Sequence, residues 1–375
     1  MLAEPTIAIV LTGALVAVAA ALLGTFLVLR RQAMLSDAIS HSIVFGIVIV
    51  WLLTRQASGP VQILGAALAG VLTVFLTELL AGTRRVKNDA AIGLVFPVLF
   101  AAGVLLLNLY ARDVHIDTHT VLLGEIGFVW LKTVSVLGHD VPQAVVWMGV
   151  VTLANALFVV IFFKELKLST FDPELAAALG FRPTALFYAL LGLTSVTAVA
   201  AFDAVGAVLF IAFVIIPPAA AYLLTDRLVL MLALAACIGV ASSLTGYPIA
   251  VALDVSIGGM MAVMTGAFLA LAFLFGPRYG LAAQLWRGWR QRYRDEIRAL
   301  VVHLHGHEGT ASSPEENVVP ALRQHLNWPE AKAAAVLDRG LEGGYVRRDG
   351  TALSLTPKGR ETARALLEPW RRGGG

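Results

Sequence analysis

The sequence predicts an all-α polytopic membrane protein of about nine transmembrane helices, followed by a small soluble domain. Three observations carry that prediction. Of 375 residues, 58% are hydrophobic and 14% are charged. Soluble globular domains carry about 25% charged residues, so an ordinary soluble enzyme is excluded. Apolar runs long enough to cross about 30 Å of hydrocarbon recur through the first three quarters of the chain. Charge is also divided: residues 1–276 hold 12 Lys+Arg and 14 Asp+Glu, a net −2, whereas residues 277–375 hold 16 and 11, a net +5. The single cysteine, Cys237, lies inside an apolar run, which excludes a disulfide framework or a cysteine metal cluster within one chain.

Taken in order, runs free of Asp, Glu, Lys and Arg cover residues 5–29, 56–77, 90–111, 141–163, 183–202, 204–225, 228–253 and 255–277. Each reaches the roughly 20 residues that a spanning helix needs. A ninth candidate, 35–54, is apolar but holds Asp37 and His41 near its start. The joint at Phe202-Asp203-Ala204 leaves room for only a very short bend, and a re-entrant turn there would reduce the count to eight. Residues 1–6 lack a positive segment ahead of a 25-residue apolar run, so the first run is expected to be a retained span, not a cleaved signal.

Basic residues cluster at Arg30/Arg31, Arg84/Arg85/Lys87, Lys164/Lys167 and 278–298. These loops alternate with loops poor in Lys and Arg, around Arg55, around Arg112/Asp113/Asp117 and at Asp254. The positive-inside rule then predicts a multi-pass protein of the plasma (inner) membrane with its N-terminus outside and its C-terminal domain in the cytoplasm. Three regions follow: a transmembrane domain over 1–281, a basic and aromatic connecting helix over 282–298, and a cytoplasmic domain over 299–375.

Residues 278–298 place Trp286, Trp289 and Tyr293 among six arginines, a pattern suited to a helix leaving the membrane surface. A helical stretch to about Leu304, a polar loop over 306–314 and helices over 315–326 and 329–341 are expected next. Two strands, 345–348 and 352–355, then flank the turn signal Asp349-Gly350, and a last helix begins at Pro357. His303, His305 and His307 alternate, which scatters them around a helix; with no cysteine nearby, a solvated helix end is the expected role.

This helix and strand order, with LEGGYVRRDGTALSLTPKGRETA from Leu341 to Ala363, resembles the winged helix-turn-helix domain of metal-responsive repressors. The third helix is alanine-rich, with only Lys332 and Arg339 as cations, so a tethered interaction or regulatory module is expected and no nucleic-acid partner is.

Asp37 and His41 are four residues apart and so share a helix face, where they can present a carboxylate oxygen and an imidazole nitrogen to one divalent cation. Ionisable residues inside a span are by default functional. The spacing also permits a pair bonded only to itself or to Ser36, Ser40 and Ser42. Asp172-Pro173-Glu174 is a sound helix start, with acid at the positive dipole end, and Gly180 is a sound stop. Asp113, His115, Asp117 and His119 fall in a predicted outer loop, able either to collect cations or simply to solvate the membrane edge, as are Glu125 and His139/Asp140. Asp203 and Asp254, at predicted outer ends of spans, are expected as interface caps, with lining of an outer gate as the other role open to either, and Glu78 as a side chain extending toward Arg84/Arg85. Pro217-Pro218 is expected to break its helix, by simple packing or as a gate hinge.

Three segments carry a resemblance that spans residues 5–281. They are LLGTFLVLRRQAMLSDAISHSIVFG at 22–46, TRRVKNDAAIGLVFPVLFAAGVLLL at 83–107, and the stretch from FDPELAAALGF at Phe171 through AVGAVLFIAFVIIPPAAAYLL at Ala204 to FLFGPRYGL ending at Leu281. They resemble the permease subunits of ATP-binding-cassette importers for manganese, zinc or iron, related to the vitamin B12 type. The chain departs from that family in a His-rich stretch around 114–127 and in its winged-helix tail.

The resemblance implies a type II permease fold and an ATP-driven import of Mn²⁺, Zn²⁺ or Fe²⁺, with no catalytic residues and no bound cofactor in this chain. It implies metal passage at Asp37 and His41, with two such pairs meeting when two permease chains, identical or closely related, assemble. It implies that Phe171, Asp172, Pro173, Glu174, Leu175, Ala178, Leu179 and Gly180 form the coupling helix that docks on an ATPase subunit, and that an extracytoplasmic binding protein delivers the ion. No GxxxxGK[ST] phosphate loop occurs, so ATP is expected on the partner subunit. Two other readings are a permease for a metal chelate of the siderophore or B12 kind, which needs a wider pathway, and a membrane-tethered winged-helix regulator.

Overall fold

A computed structural model describes residues 4–55, 60–110, 124, 126–136, 138–277, 279–309 and 316–371. The chain divides into two compact units, Met1–Leu281 and Ala282–Gly375.

The first unit is helical, and among the described residues eight of its helices are long and apolar enough to cross a membrane. These are α1 (Pro5–Leu29), α2 (Met34–Thr54), α3 (Pro60–Gly82), α4 (Asn88–Tyr110), α5 (Gln143–Ile161), α8 (Pro183–Leu224), α9 (Leu228–Leu253) and α10 (Ile257–Phe275). Two short helices, α6 (Phe163–Phe171) and α7 (Pro173–Ala178), lie between α5 and α8. At the centre, α1 packs against α5, α8 and α9, while α2 packs against α3, α4 and α8. Polar side chains fasten this apolar body internally. Buried Asn155 of α5 donates from Nδ2 to Thr197 Oγ1 of α8 at 2.9 Å and to the Ala19 carbonyl of α1 at 3.3 Å. In a lipid-facing bundle such bonds join helices that hydrophobicity alone does not hold together.

At 42 residues, α8 would run about 63 Å if straight, twice the thickness of the hydrocarbon. It is interrupted at Gly206, whose φ 78 and ψ 168 are open to glycine and not to other residues. The neighbours on α1 show that the chain doubles back there. Phe187 stacks under Arg30, Asn155 ties Thr197 to Ala19, and Val214 lies against Gly24. A straight helix would hold residues 187 and 214 about 40 Å apart, yet Gly24 and Arg30 are separated by only about 9 Å of helix. The turn expected at residues 202–204 therefore falls at Gly206, with Asp203 exposed one turn before it.

The break expected at Pro217-Pro218 is not there: the backbone stays helical through both prolines, and both are buried. Pro218 has no N–H for the carbonyl of Val214, four residues earlier. That carbonyl instead meets α1 at Gly24, where a β-carbon would collide with it. Packing of the glycine backbone against the freed oxygen lets the helix continue.

Between α4 and α5 the structure has a 3₁₀ turn, Ile126–Phe128, and an antiparallel hairpin of β1 (Thr133–Val136) and β2 (His139–Pro142), closed through Gly138 at φ 82. The apolar run expected from 141 thus gives its first residues to a strand, and α5 begins at Gln143.

The second unit comprises α11 (Leu281–His307), α12 (Val319–His325), α13 (Glu330–Glu342), a hairpin of β3 (Val346–Asp349) and β4 (Ala352–Leu355), and α14 (Pro357–Arg371). Leu300, Val301 and Leu304 of α11, Leu322 of α12, Val336 and Leu337 of α13, and Leu353 and Leu355 of β4 form its apolar core. The hairpin turn falls at Gly350-Thr351, one residue beyond the Asp349-Gly350 expected, because Asp349 still pairs with Ala352. Glu296 on α11 binds Lys332 and Arg339 of α13, each at 3.1 Å.

Candidate functional site

The tight connection from α1 to α2 passes through Arg31 at φ 59 and starts α2 at Met34. Asp37 and His41 therefore lie about 5 and 11 Å along that helix. Their facing atoms, Asp37 Oδ1 and His41 Nε2, are 3.4 Å apart, and the side chains are 27% and 35% exposed on a flank of the chain. Phe96 of α4 stacks on the imidazole with ring centroids 5.6 Å apart, and Phe100 meets it edge-on at 6.0 Å. An acid and an imidazole are thus held together against an aromatic wall, with their other side open.

The neighbouring serines do not hold the pair. Ser36 donates to the Ala33 carbonyl, Ser40 to the Ser36 carbonyl and Ser42 to the Ile39 carbonyl, while Thr73 of α3 donates to Ser42 Oγ. All three hydroxyls donate to helix backbone, and among the described residues Asp37 and His41 have each other as polar company. A dication accepts this oxygen and nitrogen set as Mn²⁺, Fe²⁺ or Zn²⁺.

The second feature is α7. Asp172 caps it, its Oδ1 accepting from the Leu175 N–H at 2.9 Å, and Pro173 opens the first turn. The helix closes at Leu179, where Phe181 N–H reaches the Ala176 carbonyl and Gly180 takes φ 86. Ala176 is buried, whereas Phe171, Leu175 and Leu179 stand 62%, 47% and 61% exposed, forming an apolar knob on a six-residue helix. Arg30, which sequence reasoning placed only among the basic loop residues, anchors the approach to this knob. Its guanidinium donates to the Ser169 carbonyl at 3.0 Å, to Ser169 Oγ at 3.2 Å and to Thr170 Oγ1 at 3.3 Å, and lies 5.1 Å from the Phe187 ring centroid.

Other expected positions are placed as follows. Glu78 accepts from the hydroxyl of Tyr188 on α8, a partner across the bundle and not the Arg84/Arg85 pair. His139 and Asp140 stand exposed on β2. Asp254 caps α9 in the left-handed region at φ 52. Asp113, His115, Asp117, His119 and Glu125 lie outside the described residues. In the second unit, His303 and His307 come together with His325, which sequence spacing did not connect to them.

Residues 3–276 match the ABC 3 transport family. The chain belongs to that family. Among ABC 3 relatives, the zinc transport system membrane protein TroD of Treponema pallidum is 46% identical over 363 residues, covering 97% of this chain and 99% of that protein. The likeness to TroD therefore runs through the second unit as well. The manganese transport system membrane protein MntD of Bacillus subtilis is 49% identical over 280 residues, covering 74% of this chain and 95% of that one. A solved structure, PsaBC from Streptococcus pneumoniae in complex with Fab, superposes with a TM-score of 0.61 at 26% identity over 72% of this chain and 91% of that one. The chain is thus a helical, multi-pass membrane permease of the ABC 3 family, a transporter membrane subunit and not an ATPase.

Proposed function

We propose that this permease carries a bare divalent transition-metal ion, Mn²⁺, Zn²⁺ or Fe²⁺, into the cytoplasm as part of an ATP-driven importer. The Asp37–His41 pair carries the reading. Its donors lie 3.4 Å apart on a partly exposed flank, inside a spanning helix. An ionisable side chain inside a spanning helix is costly against lipid, so such a flank is covered by protein or lines water. A second permease copy supplies that cover and a second pair, giving two oxygens and two nitrogens around one pathway. Few ligands on opposed helices bind the ion weakly enough to release it. The zinc and manganese named for TroD and MntD support an ion of this class as cargo.

The energy comes from an ATPase subunit, with α7 as the coupling helix. Its apolar knob of Phe171, Leu175 and Leu179 suits a cleft in that partner, and closure of two ATPase subunits moves α7 to alternate access of the pathway. An extracytoplasmic binding protein delivers the ion. Since α8 makes two crossings, the chain crosses nine times, with the N-terminus outside and the basic clusters inside. Gly206, not Pro217-Pro218, serves as the hinge of this bundle. We read the second unit as a cytoplasmic winged-helix module. Both cations of α13, Lys332 and Arg339, are engaged by Glu296, which favours a protein or small-ligand partner over nucleic acid.

The test is cell-associated Mn, Zn and Fe, measured by mass spectrometry in a strain expressing the chain with its ATPase and binding protein, against the same strain without the chain. Selective gain of one metal is expected. Unchanged metal content with the assembled complex present in the membrane would contradict the reading and point to a chelate as cargo.

A further inference from the structure

The last turn of α11 and the end of α12 bring three imidazoles to one place. His303 and His307, four residues apart, share a face of α11, and His325 is the last residue of α12. Their ring centroids are 4.9 Å (303–307), 5.5 Å (303–325) and 6.0 Å (307–325) apart. One ring nitrogen from each lies within 4.8 Å of the others. Nitrogens around a tetrahedral Zn²⁺ sit about 3.4 Å from one another, a spacing that small side-chain rotations reach from here. His305, between them in sequence, points elsewhere and pairs with Glu308 at 3.6 Å.

An outer partner is in place as well. Glu316 Oε2 lies 2.9 Å from His325 Nδ1. Histidines that hold a metal almost always have their other nitrogen engaged by a carboxylate or a backbone carbonyl, which fixes the ring and its tautomer. His303 Nε2 is buried with no hydrogen-bond partner. A buried nitrogen in that state costs free energy unless something binds it.

We propose that His303, His307 and His325 form a zinc site in the second unit, with a water molecule in the fourth position. Three imidazoles suit Zn²⁺ and disfavour Mn²⁺, which prefers oxygen ligands. The ion ties the end of α11 to the end of α12, so zinc stabilises the second unit by mass action. The proposal is independent of the transport reading, because it uses none of the residues assigned to the membrane pathway.

The experiment uses the full-length chain in detergent, carrying Asp37→Ala and His41→Ala to silence the membrane pair. Co²⁺, as a coloured stand-in, is titrated and then displaced with Zn²⁺. Relative to this parent, His307→Gln and His325→Gln are each expected to bind one equivalent fewer and to lose the visible tetrahedral Co²⁺ bands, while His305→Gln keeps both. Zn²⁺ is expected to raise the unfolding temperature of the parent by several degrees and of the two variants by none, with Mn²⁺ inert throughout. Equal stoichiometry and spectra in the parent and both variants would overturn the site. Should the variants melt below the metal-free parent, X-ray absorption on the zinc-loaded parent decides instead: an imidazole count of three supports the proposal, and fewer refutes it.

Discussion

The guanidinium of Arg30 donates to the backbone carbonyl of Ser169 at 3.0 Å and so pins the end of α1 to the last turn of α6, one residue pair before the cap of α7. The same group bonds Ser169 Oγ and Thr170 Oγ1 and lies over Phe187 at the start of α8. A single cation thereby joins the central helix to both sides of the exposed knob. Under the proposed coupling role, it offers a route by which movement of α7 would reach α1 and, through the short connection 30–33, α2.

Arg30→Ala is expected to loosen this joint. Hydrogen bonds to a charged group contribute about 1.5–3 kcal/mol, and the variant should melt lower in detergent by a corresponding amount. Lysine should not rescue it, since an ammonium cannot bond three oxygens across a planar fork. Thermal unfolding of the wild type, Arg30→Ala and Arg30→Lys measures both expectations.

Gly24→Val should be among the most damaging changes in α1. Its β-carbon would strike the Val214 carbonyl, which Pro218 has left without an N–H partner. Overpacking of this kind costs about 1–3 kcal/mol or more. Gly149→Ala on α5, where a β-carbon meets nothing within 4 Å, should be neutral or stabilising by up to about 1 kcal/mol. The yield of folded protein and the melting temperature of the two variants provide the comparison.

Much of this architecture can be read from the sequence because lipid imposes a coarse rule: each apolar run of roughly 20 residues becomes a helix. That rule locates α1, α2, α4, α9 and α10 within a few residues. It fails where the determining feature is short. The hairpin Thr133–Pro142 has four-residue strands, too brief for a search for spans. The turn in α8 rests on the backbone of one glycine, Gly206, while the neighbouring Asp203 and the prolines at 217 and 218 give stronger but misleading signals. Asp37 and His41 are visible because ionisable residues stand out inside a span. The contacts of Arg30 with Ser169 and of His325 with His303 are not visible, since each joins residues far apart in the chain and nothing in local spacing announces them.

Asp172→Ala removes the side chain that accepts from Leu175 N–H, and a six-residue helix has few other bonds to hold it. Loss of such a cap costs about 1 kcal/mol, so the knob of Phe171, Leu175 and Leu179 becomes poorly ordered. Under the proposed coupling role, the variant should reach the membrane but retain less ATPase subunit on purification, by about fivefold for that energy. Asp172→Asn, which can still cap, should retain it.

The second unit should lose stability in acid in a way that one ion pair explains. Hydrogen bonding to Arg360 holds the Glu308 carboxyl below the ordinary glutamate range, the carboxylate accepting at 2.7 Å. A group with a depressed folded pKa contributes stability that is fully present above its unfolded value of about 4.3 and is lost as pH falls through the folded value. Unfolding of the second unit followed from pH 7 down to pH 3 should therefore show a drop below about pH 4.3, and Arg360→Gln should flatten that part of the curve.

The central claim, that a metal ion passes at Asp37 and His41, is tested most directly by the initial rate of metal uptake in cells expressing the chain with its ATPase and binding protein. Asp37→Ala and His41→Ala, each shown to be present in the membrane and bound to the ATPase, are expected to cut the rate by about tenfold or more, the scale on which even outer partners of a metal site act. Uptake at the wild-type rate in both variants would contradict the claim and remove Asp37 and His41 from the pathway.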